Sequence, residues 1–180
     1  MVRALGEENV VTLHTLDQFG DLLRQNGEYE EARKVFERCL AGQEKVLGKD
    51  HKQTLGTVSN LGNVYYGLKD YEKALEYYER ALKGYEKTLG KTHPETLGTV
   101  YNIASVYRDG LKDYEKAEEL YQRALKGYEA QLGKDHKDTK RCAMNLAICL
   151  ATAGEKLKFG KIIDEYPHIM IEVPGLKEYL

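Results

Sequence analysis

Three histidines recur at nearly equal spacing, at His51, His93 and His136, and each lies in a loop just before a predicted helix. Imidazole is a common zinc ligand, so a repeated histidine must first be tested as a metal site. Zinc needs its ligands about 2 Å from one centre, whereas packed helices lie about 8–10 Å apart. Histidines from successive helical hairpins are therefore too far apart to share an ion, and we predict no metal site. The spacing favours loop packing or helix capping for the histidines, and the residues beside them are further plausible caps, namely Asp50, Thr92 and Asp135.

A second repeated set consists of side-chain amides. Asn60, Asn102 and Asn145 occupy equivalent positions, and Gln18 takes the same place near the start of the chain. A carboxamide offers both a donor and an acceptor, so a row of them could hold the backbone of an extended peptide of any sequence. The same repetition would result if each amide hydrogen-bonded to the adjacent hairpin and only fixed the packing. The sequence leaves both interpretations open.

Other groups that enzymes use are not arranged for catalysis. No Ser/His/Asp or Cys/His grouping recurs, and Gly84 and Gly127 are isolated rather than part of a phosphate-binding loop. Glu and Lys alternate along the second helices at spacings typical of a solvated face. The three cysteines are odd in number and fit no zinc or redox motif; they are Cys39, Cys142 and Cys149. We therefore expect no enzymatic activity and no cofactor.

The amino-acid composition limits the classes of partner that the chain is expected to bind. Of the 180 residues, 42% are apolar and 31% are charged, which suits a packed core with a charged surface. The 27 basic and 29 acidic residues are closely mixed, so no basic stripe indicates nucleic-acid binding. No apolar stretch approaches the roughly 18 residues of a membrane span, and the N-terminus lacks a signal-peptide pattern. Unpaired thiols suit a reducing compartment, so we expect a cytoplasmic protein.

The elements that must position these residues are paired helices. In the unit that spans residues 48–89, the patterned positions are Val58, Leu61, Gly62 and Tyr65 in a first helix, then Ala74, Tyr78 and Ala81 in a second. The apolar residues fall at helical spacing, and the small ones mark places where two helices must approach closely. One such hairpin cannot cover its own apolar face, so successive hairpins must stack.

The same unit recurs along the chain. Equivalent threonines give periods of 42, 42 and 43 residues, and they are Thr12, Thr54, Thr96 and Thr139. The predicted organisation is a leader at 1–5, repeats at 6–47, 48–89 and 90–132, a degenerate fourth repeat at 133–166 and a C-terminal capping segment at 167–180. The extra residue of the third repeat falls at 108–110, where we expect a longer turn between its helices. The fourth repeat departs from the pattern because Phe159 replaces a small alanine and Pro167 ends any helix.

This pattern resembles the tetratricopeptide repeat, whose common unit is about 34 residues long. The longer period resembles the kinesin light chain type, with its motifs at 89–96 (LGKTHPET) and 114–125 (YEKAEELYQRAL). The resemblance is to the repeat rather than to the motor, whose heptad coiled coil is not seen here. It implies an all-α fold, a right-handed α-solenoid of tandem helix-turn-helix repeats. It also implies a non-catalytic scaffold that binds a protein or peptide in a concave groove lined by the first helices.

The resemblance assigns groove positions in addition to the amides. They are Asp17, Asp21, Asn63, Tyr101, Arg108 and Arg141. Asp17 and Asp21 would repel the C-terminal carboxylate that chaperone-tail receptors of this superfamily bind. Arg108 and Arg141, with Arg24 toward the other end, leave room for a peptide of mixed charge that could be acidic at the third and fourth repeats. Two alternatives remain open: a self-associating oligomerisation module, and a sensor or scaffold part of a larger protein.

Overall fold

A computed structural model describes residues 9–179 and shows consecutive helices throughout that range. The predicted leader at 1–5, the first residues of repeat one and the last residue of the capping segment lie outside the described residues. The α-helices are α1 (Val10–Gln25), α2 (Tyr29–Val46), α3 (Lys52–Gly67), α4 (Tyr71–Thr88), α5 (Pro94–Val106), α6 (Tyr114–Leu132), α7 (Lys137–Ala153), α8 (Lys156–Glu165) and α9 (Ile169–Glu172). A π-helix, Tyr107–Leu111, follows α5, and a 3-10 helix, Pro174–Tyr179, follows α9.

The chain forms two compact units that divide after Gly90. In the first unit, α2 packs against both α1 and α3, and α3 packs against α4. The hairpins close around large side chains that face glycines, because the Phe36 ring lies where a Cβ on Gly20 would be and the Tyr78 ring lies against Gly62. Phe36 and Tyr78 are buried as a result.

In the second unit, α6 packs against α5 and α7, and α8 packs against α7. Phe159, at the position where small alanine was expected, is completely buried, so the degenerate hairpin still closes. Beyond Pro167 the chain continues to bury apolar side chains, including Ile169 and Leu176. The 3-10 helix packs against α7, and the Tyr166 hydroxyl hydrogen-bonds the Glu129 carboxylate on α6.

Short turns separate the helices of each hairpin. Gly27, Lys69 and Lys112 adopt positive φ values of 81°, 61° and 57°, which reverse the chain after each first helix. The next helix is then capped by an aspartate in two hairpins. The Asp70 and Asp113 side chains accept hydrogen bonds from backbone N–H groups three residues later, at 3.2 and 3.0 Å.

The extra residue of the third repeat does not form a longer loop. It is absorbed by the π-helix at 107–111, which continues α5 before the turn at Lys112. A single inserted residue in a helix is commonly accommodated by such a π-helical turn, because the backbone hydrogen bonds shift by one residue. The insertion therefore changes the direction of side chains near Arg108 as well as the length of the connection.

The histidines are the helix caps, which is one of the two roles that their spacing favours, whereas the prediction of caps at the residues beside them is wrong. The Nδ1 atoms of His51, His93 and His136 accept hydrogen bonds from backbone N–H groups two residues later, at 3.3, 3.2 and 3.2 Å. Asp50 instead pairs with Lys87 at 2.5 Å. Asp135 pairs with Lys140 at 3.3 Å. An acceptor at each cap satisfies one of the free N–H groups that begin every helix.

The second helices are extended beyond the common repeat. In α4 and α6, seven or more residues follow the alanine at 81 or 124 before the helix ends. Gly84 and Gly127 lie in these extensions against the Leu55 and Leu97 side chains. The chain therefore has the all-α solenoid class that its repeats predict. Within residues 9–179, none of the helices is both long and apolar enough to cross a lipid bilayer.

The first prediction concerns Gly62. A Cβ there would lie 2.6 Å from the Tyr78 ring, whereas a Cβ on Gly160 in α8 would meet nothing within 4 Å. Gly62→Ala and Gly160→Ala gain the same helix propensity, up to about 1 kcal/mol. Only the first overpacks a buried ring, so its free energy of unfolding should be lower by about 1–3 kcal/mol. Urea unfolding measures the difference, and equal stabilities would contradict the close contact.

The second prediction concerns the capping histidine His93. We expect His93→Ala to lower the free energy of unfolding by about 1 kcal/mol, because the N–H of Glu95 loses its acceptor. His93→Asn should retain most of the stability, since asparagine is also a good cap. The matched control is Thr92→Ala, which removes the neighbouring residue that is also a plausible cap from the sequence and should change little. A larger loss for Thr92→Ala would show that the cap has been misassigned.

Candidate peptide-binding surfaces

In the first unit, the predicted residues on α1 and α3 are held by local contacts. The Asp17 carboxylate accepts a hydrogen bond of 2.8 Å from the hydroxyl of Thr57 on α3. Thr57 is completely buried, so this bond ties the two first helices together. Asp21 contacts Arg24 at 2.6 Å and Gln25 at 2.5 Å on its own helix. Both carboxylates are thus engaged within the unit.

The amides of the first unit differ in their surroundings. The Asn63 carbonyl accepts a hydrogen bond of 2.7 Å from the Tyr78 hydroxyl, so it links α3 to α4. Tyr78 is buried, and burial raises the pKa of its hydroxyl well above the usual range, which keeps it a donor. Asn60 is half-buried, and Gln18 is exposed on α1. The structure brings neither of them into the Asn63–Tyr78 contact.

In the second unit, Asn145 lies at the centre of a cluster. Its Nδ2 donates to the Tyr101 hydroxyl at 2.8 Å and to the Arg141 carbonyl at 3.0 Å. Its Oδ1 accepts from the Nη1 of Arg108 at 2.5 Å. Asn145 is only 9% exposed, so a buried amide uses both of its functions on protein partners. Four of the predicted residues therefore meet, and we call them the arginine cluster: Tyr101, Arg108, Arg141 and Asn145.

Two tyrosine rings support the arginines of this cluster. The Arg108 guanidinium lies 5.7 Å from the centre of the Tyr121 ring, and that of Arg141 lies 5.1 Å from the centre of the Tyr101 ring. The two rings meet edge to face at 5.5 Å. Burial raises the pKa of the Tyr101 hydroxyl, while the nearby Arg141 opposes the rise. A cation over an aromatic face is attracted by the ring quadrupole, so the rings hold both guanidinium groups in place.

The two arginines differ in accessibility and in pairing. Arg108 has only 15% of its side chain exposed, and its Nε and Nη2 atoms both contact Asp109, at 2.7 and 2.9 Å. Arg141 is 52% exposed and pairs with Asp138 at 3.0 Å. An exposed pair of this kind has a small net stability and exchanges readily with another carboxylate. Arg141 is therefore the member of the cluster that a carboxylate from outside can reach.

Three residues that contact the arginine cluster are not among the predicted site residues, namely Ser105, Tyr121 and Asp138. Ser105 hydrogen-bonds the Tyr121 hydroxyl at 2.8 Å, which fixes the ring below Arg108. Tyr121 fitted the repeat pattern as a core residue and is also a support for the cation. Asp138 precedes Arg141 by one helical turn, a spacing that typically forms an ion pair, so this partner had a signal in the sequence. Asn102 is half-buried on α5.

The remaining reactive side chains show no arrangement for chemistry. All three cysteines are buried and free. Burial raises the pKa of the Cys39 and Cys142 thiols to about 12 and that of Cys149 to about 11, so they are protonated at neutral pH. Within the described part of the chain, no three His, Cys, Asp or Glu side chains are grouped as a metal site.

Comparison with protein-family models identifies the type of repeat. The family model described as tetratricopeptide repeat matches residues 11–87, 53–109 and 95–158, in overlapping segments. These segments together extend over most of the chain. No curated protein gives a significant match.

Solved structures provide a second comparison. A kinesin light chain-type protein from Podospora anserina, with nearly identical TPR-like repeats, superimposes with a TM-score of 0.78 at 22% identity; the match covers 89% of this chain and 75% of that one. BtubC (BKLC) from P. vanneervenii superimposes with a TM-score of 0.80 at 19% identity, over 91% of this chain and 65% of that one. At these identities the likeness concerns the fold alone. The family match, which extends over most of the chain, shows that the chain belongs to the tetratricopeptide repeat family.

Proposed function

We propose that this chain is a non-catalytic scaffold that binds an extended peptide or a protein segment on the surfaces of its first helices. Tetratricopeptide repeats are in general protein-interaction scaffolds, and the groove expected from the sequence is lined by these helices. The observation that carries the proposal is the arginine cluster of the second unit. In this cluster the half-exposed Arg141 guanidinium lies over the Tyr101 ring, and Asn145 is the buried amide.

The chemistry of the cluster favours an acidic residue in the ligand. A carboxylate that displaces Asp138 from Arg141 would gain a charge-assisted hydrogen bond in a setting where the cation is already oriented. Because the Tyr101 ring holds the guanidinium, little side-chain entropy is lost on binding. Arg108 is occupied by Asp109 and Asn145, so it contributes charge and support rather than a free donor fork.

The amides divide into two roles under this proposal. Asn145 is committed to Tyr101, Arg108 and the backbone, so it holds the cluster together. Asn60 and Asn102 are half-buried, and we propose that they contact a peptide backbone. The free, buried thiols fit a reducing compartment, and we also propose a cytoplasmic location.

The role of Asn145 can be measured without a ligand. We expect Asn145→Ala to lower the free energy of unfolding by about 1–3 kcal/mol, because the half-buried Tyr101 and Arg108 side chains each lose a hydrogen bond. A double-mutant cycle with Tyr101→Phe should give a coupling energy of about 0.5–3 kcal/mol. The matched control is Thr152→Ala on the exposed end of α7, which should not be destabilising. Additive effects of Asn145→Ala and Tyr101→Phe would contradict the structural role.

The binding role can be measured with selected peptides. A random library of peptides about twelve residues long, selected on the intact chain, should yield sequences enriched in Asp and Glu. Arg141→Glu should weaken these peptides by about tenfold or more in Kd, equivalent to about 1.4 kcal/mol. The control is Lys126→Glu, which makes the same change of charge on the exposed side of α6. Fluorescence anisotropy gives both affinities. An equal loss in both variants, or a selection without acidic enrichment, would contradict the proposal.

A further inference from the structure

The second unit contains a cavity of about 540 Å³ between the residues that lead into α5 and one face of α6. Its floor is apolar, because the Leu97 side chain fills the space that a side chain on Gly127 would need, and Ala130 adds a methyl group. A cavity of this size with an apolar floor is typical of sites that hold small organic molecules. It shares no residue with the arginine cluster, so the two sites are separate.

Cations surround this cavity. Lys91, Arg123 and Lys126 line it, and Glu119 is the single carboxylate among its described lining residues. The wall therefore carries an excess of two positive charges at neutral pH. Arg123 is half-buried and already engaged with another group, so it contributes charge. In the part of the chain that the structure describes, neither Lys91 nor Lys126 forms an ion pair, so both ammonium groups are available to a ligand.

The second repeat shows how the equivalent place is occupied when no ligand is needed there. Asp50 and Lys87 lie at the positions of Thr92 and Ala130, and their side chains form an ion pair of 2.5 Å. In the third repeat both residues are short and uncharged, so the ion pair is lost and the space that it would fill belongs to the cavity.

A further replacement changes the charge in the same direction. Gln122 replaces Glu79 of the second repeat, so two carboxylates that surround the equivalent place are neutral side chains in the third. The cations are retained, since Lys91, Arg123 and Lys126 correspond to Lys49, Arg80 and Lys83. The third repeat has thus lost carboxylates that would compete with an anion, while it keeps the groups that would bind one.

From these observations we infer that the cavity is a binding site for a small organic phosphate, a phosphate monoester with an apolar body. Such a group carries about −1.5 to −2 charges at pH 7, which matches the excess positive charge of the wall better than a single carboxylate does. The ammonium groups of Lys91 and Lys126 bind the phosphate oxygens, and the Thr92 hydroxyl and the Gln122 amide can donate to them. The apolar body covers the floor at Ala130.

This inference goes beyond the proposed function. The peptide is assigned to the surfaces of the first helices, whereas the residues that form most of this cavity belong to a second helix, α6. A probe of the cavity and the selected peptides therefore report on different sites.

Titration of the intact chain, followed by the backbone amide signals in NMR spectra, tests the inference. The probe is 1-naphthyl phosphate, which combines a phosphate monoester with an apolar body. We expect saturable changes at residues that line the cavity, such as Gln122, Gly127 and Ala130. Inorganic phosphate, which lacks the body, and 1-naphthol, which lacks the charge, should each bind with a Kd at least about tenfold higher. 1-Naphthoate, a monoanion with the same body, should also bind more weakly.

A pair of lysine variants measures the contribution of charge. Lys91→Gln with Lys126→Gln removes two cations from the wall and should raise the Kd of 1-naphthyl phosphate by about tenfold or more. The matched control is Lys49→Gln with Lys83→Gln, which makes the same change at the equivalent exposed positions of the second repeat. This control should leave the Kd unchanged.

A third double variant measures the contribution of the open space. Thr92→Asp with Ala130→Lys leaves the net charge unchanged and rebuilds the ion pair of the second repeat, so it should fill the cavity and raise the Kd by a similar factor. Far-UV circular dichroism and the Tm establish that each variant is folded.

Four results would each overturn the inference. They are changes in the NMR spectrum that do not saturate or that lie away from the cavity, equal affinity for 1-naphthyl phosphate and 1-naphthoate or inorganic phosphate, an equal loss of affinity in the two lysine variants, and undiminished binding when the ion pair is rebuilt.

Discussion

The first two hairpins depend on a contact between a glycine on the first helix and a large aromatic ring on the second. Gly20 faces Phe36 and Gly62 faces Tyr78, in each case with no room for a Cβ beside the ring. This contact sets how near the two helices of a hairpin approach, and thereby how the apolar stripe of each is presented to the next hairpin. Burial of a whole aromatic ring against a bare backbone also contributes more stabilisation than a methyl-sized contact would.

This packing within a hairpin leaves an apolar face that the neighbouring hairpin can cover. Inside the chain, that face is covered by a helix, and the packing residues at 61 and 146 have almost no exposure. At the C-terminal side the chain covers itself differently, with Phe159 in place of a small residue and with Ile169 and Leu176 buried beyond Pro167. Phe19 on α1 lies at the equivalent position and is exposed in the described residues.

The candidate binding surface shows how the one-residue insertion in the third repeat changes the contacts made by a side chain near it. The π-helix at 107–111 continues α5 and holds Arg108 where its guanidinium reaches Asn145 and Asp109. In the second repeat, which lacks the insertion, Asn63 accepts a hydrogen bond from the Tyr78 hydroxyl, and the equivalent pair in the third repeat is Ser105 and Tyr121. The contact between the two helices of a hairpin is therefore kept in both repeats, and the Arg108 contacts are additional to it in the third.

The helical class, the hairpin pattern and the positions of the turns could all be predicted from sequence, because local periodicity and turn residues act over a few neighbouring residues. A capping role for the three histidines could also be predicted from sequence, although the residues beside them were equally plausible caps. Only the tertiary structure decided that the histidine ring, rather than its neighbour, reaches the free N–H groups, since that depends on the backbone conformation at the cap. It also decided that Asn145 is a buried connector and that Phe19 and Leu22 are exposed. Contacts and exposure depend on which distant helices come together, and identical local patterns acquire different roles according to what lies across from them.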